Sequence, residues 1–309
     1  MEKKIPLIVI HGPTASGKSN LAIKLARKFN GEIVSADSRQ VYKGLDIGTG
    51  KVTKKEQRMV CHHLLDVAKP GTRFTVARFQ KLADKAIKDI WSRGKLPFLV
   101  GGSPLYVKAV VEGYDIPVVR PDWKLRKNLE GKPLEKLLQR LKKLDSKTYS
   151  RIDKKNPRRV IRALEIIIRT GKPIAERTSQ SRYHALQLAI DVPREQLYER
   201  IDSRVDSRAR LGMIREVERL IEGGVSKKWL MSLGLEYRFI TNFLQEIRGL
   251  EAGGKRFEVK NCRIEMLQKL KYAIHDFARR QMIWYRKMPS IVWIKGISDA
   301  EKSIRRTHL

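Results

Sequence analysis

Eight consecutive residues near the start of the chain, Gly12, Pro13, Thr14, Ala15, Ser16, Gly17, Lys18 and Ser19, have the types and spacing of a loop that wraps phosphate. In such a loop the backbone N–H groups and the start of the following helix surround phosphate oxygens. Lys18 adds a compact positive charge, and the Ser19 hydroxyl is a ligand for Mg²⁺. A bound diphosphate or triphosphate is therefore expected. Asp37, in ADSRQVYKGLDIGTGK (Ala36–Lys51), can ligate the metal or take a proton from an incoming nucleophile; a plain helix cap or turn carboxylate is the alternative. Ser103, in FLVGGSPLY (Phe98–Tyr106), offers a hydroxyl in the same region unless it only caps the next helix.

The elements that must hold these groups are legible in the hydropathy pattern. The apolar, β-branched run Ile5–Ile10 before the loop reads as a strand, and Leu21, Ala22, Leu25, Ala26 and Phe29 after it recur at helical spacing. Further strand-like runs (Glu32–Ala36, Leu96–Val100) alternate with helical stretches (Lys18–Phe29, Val76–Arg93, Leu105–Val111), the pattern of a parallel sheet covered by helices. Asp37 and Ser103 then both fall at carboxyl ends of strands, the edge where such sheets bind ligands.

From Pro117 the pattern changes. Pro117, Pro121 and Pro133 punctuate a Lys/Arg-rich stretch, Leu134, Leu137, Leu138, Leu141 and Leu144 follow at helical spacing, and a second helix is expected over Arg158–Arg169, ended by Gly171 and Pro173. A strand-like run returns at Leu186–Ile190 and reads as one more strand of the first sheet. The expected architecture is an α/β P-loop NTPase-like core, residues 1–116, an all-helical insertion over 117–182, and completion of the core with mostly helical structure over 183–309.

Lys+Arg of 66 against Asp+Glu of 33 gives a formal net charge of +33, an excess that makes a polyanion, and nucleic acid above all, the natural large partner. No apolar stretch approaches the length of a membrane span, and MEKKIPLIVIHG leads straight into the phosphate loop, so a cytoplasmic protein is expected. The two cysteines, Cys61 and Cys262, make neither a disulfide framework nor a four-ligand zinc site.

Beyond these local readings, GPTASGKS, ADSRQVYKGLDIGTGK, HHLLDV (His62–Val67), FTVARF (Phe74–Phe79), LVGGSPLY, NPRRVIRALEI (Asn156–Ile166), RIDSRVD (Arg200–Asp206) and FARRQMIWYR (Phe277–Arg286) occur in one order. In that order the chain resembles, over nearly its whole length, the bacterial tRNA dimethylallyltransferases, also called tRNA delta(2)-isopentenylpyrophosphate transferases. The resemblance implies transfer of a dimethylallyl group from dimethylallyl diphosphate to N6 of the adenosine immediately 3′ of the anticodon. It also implies Mg²⁺ as cofactor and the tRNA anticodon stem-loop as partner; a monomer is expected.

By the same resemblance Asp37 is the general base, Gln40 reads the adenine edge, and Arg204, with Lys18 and the loop amides, clamps the diphosphate. Contacts to tRNA are implied for Asp37, Ser38, Arg39, Gln40 and Ser103, and for Arg126 in DWKLR. On the insertion they are implied for Arg158, Arg159, Val160, Ile161 and Arg162. Toward the C-terminus they are implied for Tyr237, Arg238, Arg279, Arg280, Gln281, Trp284 and Arg286. Ser103 stands where the family usually has Thr, which keeps the hydroxyl and loses the methyl. Arg208 stands where a Met is common, and no chemical consequence is expected of it.

Three other readings remain at this point. A P-loop kinase of a small metabolite shares the core but gives no reason for the charge. A non-catalytic RNA-binding ATPase leaves Asp37 and Ser103 without a role. An adenylate isopentenyltransferase fits the loop but not the basic insertion.

Overall fold

The structure, a computed structural model, describes residues 4–114, 119–174 and 181–307. Six parallel strands form one sheet: β1 (Ile5–His11), β2 (Gly31–Ser35), β3 (His62–His63), β4 (Leu96–Val100), β5 (Tyr183–Ile190) and β6 (Ile291–Ile294). Their spatial order is β3-β2-β4-β1-β5-β6. Strand β1 is central, with Ile8 opposite Phe98 of β4 and opposite Leu186 of β5. Alternate side chains of β1 feed two cores: Ile8 and Ile10 pack on one face of the sheet, Leu7 and Val9 on the other. A strand covered on both faces needs an almost continuous apolar sequence, which is why IPLIVI shows no polar alternation.

The helix Lys18–Lys28 follows the phosphate loop and buries Leu21, Ala22, Ile23, Leu25 and Ala26, while Arg27 and Lys28 in its last turn complement the helix dipole. Helices Val76–Ser92 and Pro104–Val111 cover the opposite face; Phe79 and Tyr106 stack between them at 4.2 Å. The expected P-loop core with a parallel sheet is thus present. Two strands lie outside the expected set. One is the two-residue β3; the other is β6, whose Val292 and Trp293 are exposed at the sheet edge. No helix among the described residues is long and apolar enough to cross a membrane.

The chain divides into two compact units, one formed by residues 1–113 with 181–309, the other by 114–180. The expected boundary residue Pro117 lies outside the described residues. The second unit contains helices Trp123–Glu130, Leu134–Leu144, Ser146–Arg151 and Pro157–Thr170 around its own core of Leu129, Leu137, Leu141, Val160, Leu164 and Ile167. Three of these helices start on side-chain caps. Asp122, Asp145 and Asn156 accept the N–H of Leu125, Thr148 and Arg159, each such cap contributing about 1 kcal/mol.

Candidate active site

The turns that leave β1, β2 and β4 meet at one edge of the sheet. In the phosphate loop Gly17 precedes the helix with φ 88°, a left-handed conformation that a side chain disfavours. Lys18 Nζ donates to the Pro13 carbonyl at 3.1 Å. Burial, then the nearby Arg204, pushes the Lys18 ammonium down to about 8, with Asp37 opposing. The Thr14 N–H donates to Gln281 Oε1 at 3.0 Å, and Gln281 Nε2 donates to the Gly102 carbonyl at 2.6 Å. One amide therefore joins the phosphate loop to the turn after β4.

Asp37 begins a tight turn in which Oδ1 accepts the N–H groups of Arg39 at 2.8 Å and Gln40 at 3.3 Å. Ser103 stands at the N-terminus of helix Pro104–Val111 without capping it; its Oγ accepts the Ser38 N–H at 3.1 Å. The hydroxyl thus ties the turn after β2 to that after β4. These turns approach so closely that a β-carbon at Gly101 would overlap the Ala36 backbone. Gln40 lies between Ser35, whose Oγ donates to Gln40 Oε1 at 3.1 Å, and the Gly50 carbonyl, which accepts from Nε2 at 3.2 Å. Its amide keeps one further donor and one further acceptor.

Helix Arg194–Arg210 closes the site from the side. Arg204 and Arg208 both reach the cavity, and Glu236 stands beside them, accepting from Arg39 Nη1 at 2.8 Å and lying 3.5 Å from Arg208 Nη1. Burial lowers the pKa of both Arg204 and Arg208. The loop Asp46–Gly48 is held by one buried carboxylate: Glu216 accepts the N–H groups of Asp46, Ile47 and Gly48 at 2.8, 2.6 and 3.1 Å. It also accepts the Tyr237 hydroxyl at 2.8 Å.

The structure brings together Thr14, Ala15, Gly17, Lys18, Ser19, Asp37, Ser38, Arg39, Gln40, Ser103, Arg204 and Gln281 around one cavity of about 320 Å³. Three expected RNA contacts, Tyr237, Val160 and Ile161, are corrected. Tyr237 is 0 % exposed with its hydroxyl given to Glu216, and Gln281 is buried with its amide bridging two loops. Val160 and Ile161 are core side chains of the helical unit. Arg238, Arg279, Arg280 and Arg286 are exposed and Trp284 is partly buried. In the helical unit Arg158 and Arg159 are exposed. Arg126 and Arg162 both bind the fully buried Glu165; burial opposes its ionisation, yet these hydrogen bonds hold its carboxyl below the usual range. Sequence reasoning missed Glu216 and Glu236, and it named Arg208 while expecting no chemical consequence of it. Arg208 was signalled by its four-residue spacing from Arg204, which puts both on one helix face.

Residues 40–288 match the family model described as IPP transferase, and residues 5–68 match that described as isopentenyl transferase. A tRNA dimethylallyltransferase of Roseiflexus sp. is 43% identical over 294 residues, covering 93% of this chain and 92% of that protein. One of Acetivibrio thermocellus is 39% identical over 308 residues, 96% of this chain and 94% of the relative. Among solved structures, the tRNA isopentenylpyrophosphate transferase of Bacillus halodurans superposes with a TM-score of 0.69 at 35% identity, covering 99% of this chain and 100% of the other. A eukaryotic dimethylallyltransferase described as acting on tRNA gives 0.77 at 26% identity, covering 98% of this chain and 77% of that one.

Proposed function

The chain belongs to the IPP transferase family, and from that premise we propose that it transfers a dimethylallyl group from dimethylallyl diphosphate to N6 of the adenosine 3′-adjacent to the anticodon of tRNA, releasing diphosphate. The observation that carries this reading is the convergence of Lys18, Asp37, Ser103 and Arg204 on one cavity at the carboxyl edge of the sheet.

In the reaction the bond from the allylic carbon to the diphosphate oxygen breaks, and a bond from that carbon to N6 forms. Negative charge accumulates on the departing oxygen. The loop amides, Lys18 and Arg204 are preorganised donors for that charge, which is where electrostatic catalysis acts. The nucleophile is a weak one, since the N6 lone pair is delocalised into the ring. Asp37 takes the N6 proton as the new bond forms, and its Oδ1, fixed by two backbone N–H groups, holds the carboxylate in place for that transfer. The free donor and acceptor on Gln40 match the paired acceptor and donor of an adenine edge. The adenosine leaves the anticodon stack to enter the cavity, as a base modified at an exocyclic amine must.

The Ser19 hydroxyl is a hard oxygen donor lining the cavity beside the loop, and it would hold Mg²⁺ together with diphosphate oxygens. When bound, the ion neutralises charge on the diphosphate. Exposed Arg158 and Arg159 on the helical unit, with Arg238, Arg279, Arg280 and Arg286, supply cations for the RNA backbone, and Trp284 a ring for stacking.

The test is direct. Purified protein is incubated with dimethylallyl diphosphate, Mg²⁺ and unmodified tRNA, and the RNA is digested and analysed by mass spectrometry. N6-dimethylallyladenosine is expected. Its absence with folded protein and cognate tRNA, or phosphoryl transfer from ATP instead, would overturn the reading.

A further inference from the structure

Helix Arg194–Arg210 presents two arginines to the cavity, and only one of them has a role so far. Arg208 is 8 % exposed. Its Nη1 donates to the Gly48 carbonyl at 3.3 Å and lies 3.5 Å from Glu236 Oε1. Glu236 is already shared, since it also accepts from Arg39 at 2.8 Å. The other terminal nitrogen, Nη2, is removed from water and has no hydrogen-bond partner. A buried charged donor left unpaired is strongly unfavourable, so the rest of the molecule must hold it there against a cost.

The neighbour makes that cost larger. A β-carbon added at Gly50 would overlap Nη2 of Arg208 and Nη2 of Arg204 together, so the two guanidinium tips converge on one spot. Both side chains line the cavity that holds Lys18. Burial, then the Arg204 charge, lowers Arg208 to about 10, which still leaves it protonated at neutral pH. Of the other charges lining the cavity, Lys51 is paired with Asp46 and Asp66, and Glu56 is engaged in capping its own helix. Among the charges that line the cavity, Lys18, Arg39, Arg204 and Arg208 then stand against Asp37 and the shared Glu236, and the buried Glu216 beyond the lining also favours the Arg208 charge. A site with this imbalance is complementary to a multiply charged anion with several oxygens, which a forked donor meets with two hydrogen bonds.

We propose that Arg208 is a second guanidinium of the diphosphate site, closing with Arg204 on the oxygens of the leaving group. This rests on the reading of the cavity as the prenyl diphosphate site. Arg208 then shares in stabilising the charge that develops as the allylic C–O bond breaks, and it retains the diphosphate product after transfer. The alternative source of phosphate oxygens, the backbone of the RNA, is separated from the first by measuring the two ligands independently.

The experiment uses the full chain as native protein, R208M, R208K and K18A. Binding of inorganic diphosphate with Mg²⁺ and binding of unmodified tRNA are each measured by calorimetry, and thermal midpoints are recorded without ligand. Expected are a loss of about tenfold in diphosphate affinity for R208M, the strength of one charged hydrogen bond, partial recovery in R208K, and tRNA affinity unchanged within about twofold. The thermal midpoint of R208M should equal or exceed the native one, because a buried guanidinium nitrogen without a hydrogen-bond partner has been removed. The proposal is overturned if R208M binds diphosphate as native does while K18A has lost it. It is also overturned if R208M weakens tRNA binding alone, or lowers the midpoint while leaving diphosphate affinity intact. If K18A too binds diphosphate as native does, the reading of the cavity falls, and the role of Arg208 with it. Should R208M fail to fold, R208K against native decides the same comparison.

Discussion

Glu216 and Tyr237 share a hydrogen bond of 2.8 Å in the interior, and through it the loop after β2 is fastened to helix Leu235–Ala252. The carboxylate also gathers three consecutive backbone N–H groups, an arrangement in which one side chain satisfies a turn that secondary structure leaves open. Replacing Glu216 by Ala strands four donors. The expected loss is about 3 kcal/mol by chemical denaturation. Tyr237→Phe removes one of the four and should cost about 1 kcal/mol while leaving tRNA affinity alone. A loss of tRNA affinity in that variant would return Tyr237 to the RNA surface.

Asp37→Asn preserves the shape of the turn and removes the base. We expect kcat to fall by about 10² to 10⁴ with diphosphate affinity little changed, measured by single-turnover kinetics and calorimetry. A drop of less than about tenfold would mean that the N6 proton goes elsewhere.

The Lys18 ammonium, lowered to about 8 first by burial and then by Arg204, makes binding of the donor pH-dependent. Below that value the side chain is charged and attracts diphosphate; above it the free protein loses the charge. Affinity for dimethylallyl diphosphate should therefore fall from about pH 7 to about pH 9.5, with proton uptake on binding visible as a buffer-dependent heat. Folding stability runs the other way. The unfolded lysine titrates near 10.5, so between about 8 and 10.5 the unfolded chain binds more protons and stability from this group rises with pH. Lys18→Met should flatten both profiles.

Gly50→Ala places a carbon where the Arg204 and Arg208 tips meet. Both are ends of flexible side chains and can swing aside, and φ 59° at this position strains alanine only modestly. The global stability loss should stay near about 1–2 kcal/mol. Diphosphate affinity should fall by about tenfold or more, because the displaced guanidinium groups leave the ligand. Retention of native affinity would show that neither arginine needs its present position.

Glu165→Ala in the helical unit leaves Arg126 and Arg162 without their shared anion and the Asp122 N–H without an acceptor. A loss of about 2–4 kcal/mol in the unit's stability is expected, with weaker tRNA binding as the two guanidinium groups lose their orientation.

Strands β1, β2, β4 and β5 were legible because each is apolar, β-rich and framed by turns. β3 has two residues, too few for any periodicity, and β6 lies half-exposed at an edge, where IVWI after a long helix gives no alternation of its own. Within the site, Gly12–Ser19, Asp37 and Ser103 were readable from local sequence because strand ends announce them. Glu216 and Glu236 were not. Their partners lie 168 residues away for Gly48 and 197 for Arg39, and nothing local marks a carboxylate that serves a distant turn. Tyr237 misled for the converse reason: the resemblance implied an RNA contact there, and the burial of its side chain is decided by what packs on it from elsewhere in the chain.

Gln281 carries one more consequence. Its carbonyl oxygen takes the Thr14 N–H and its amide nitrogen the Gly102 carbonyl, so the gap between the two loops is spanned by a single planar carboxamide. The spacing of the two loops at that edge is therefore set by one rigid planar group and the two hydrogen bonds at its ends. Gln281→Asn keeps the carboxamide but withdraws it by one methylene toward its helix, so the two loops must either follow it or lose the bridge that holds their spacing.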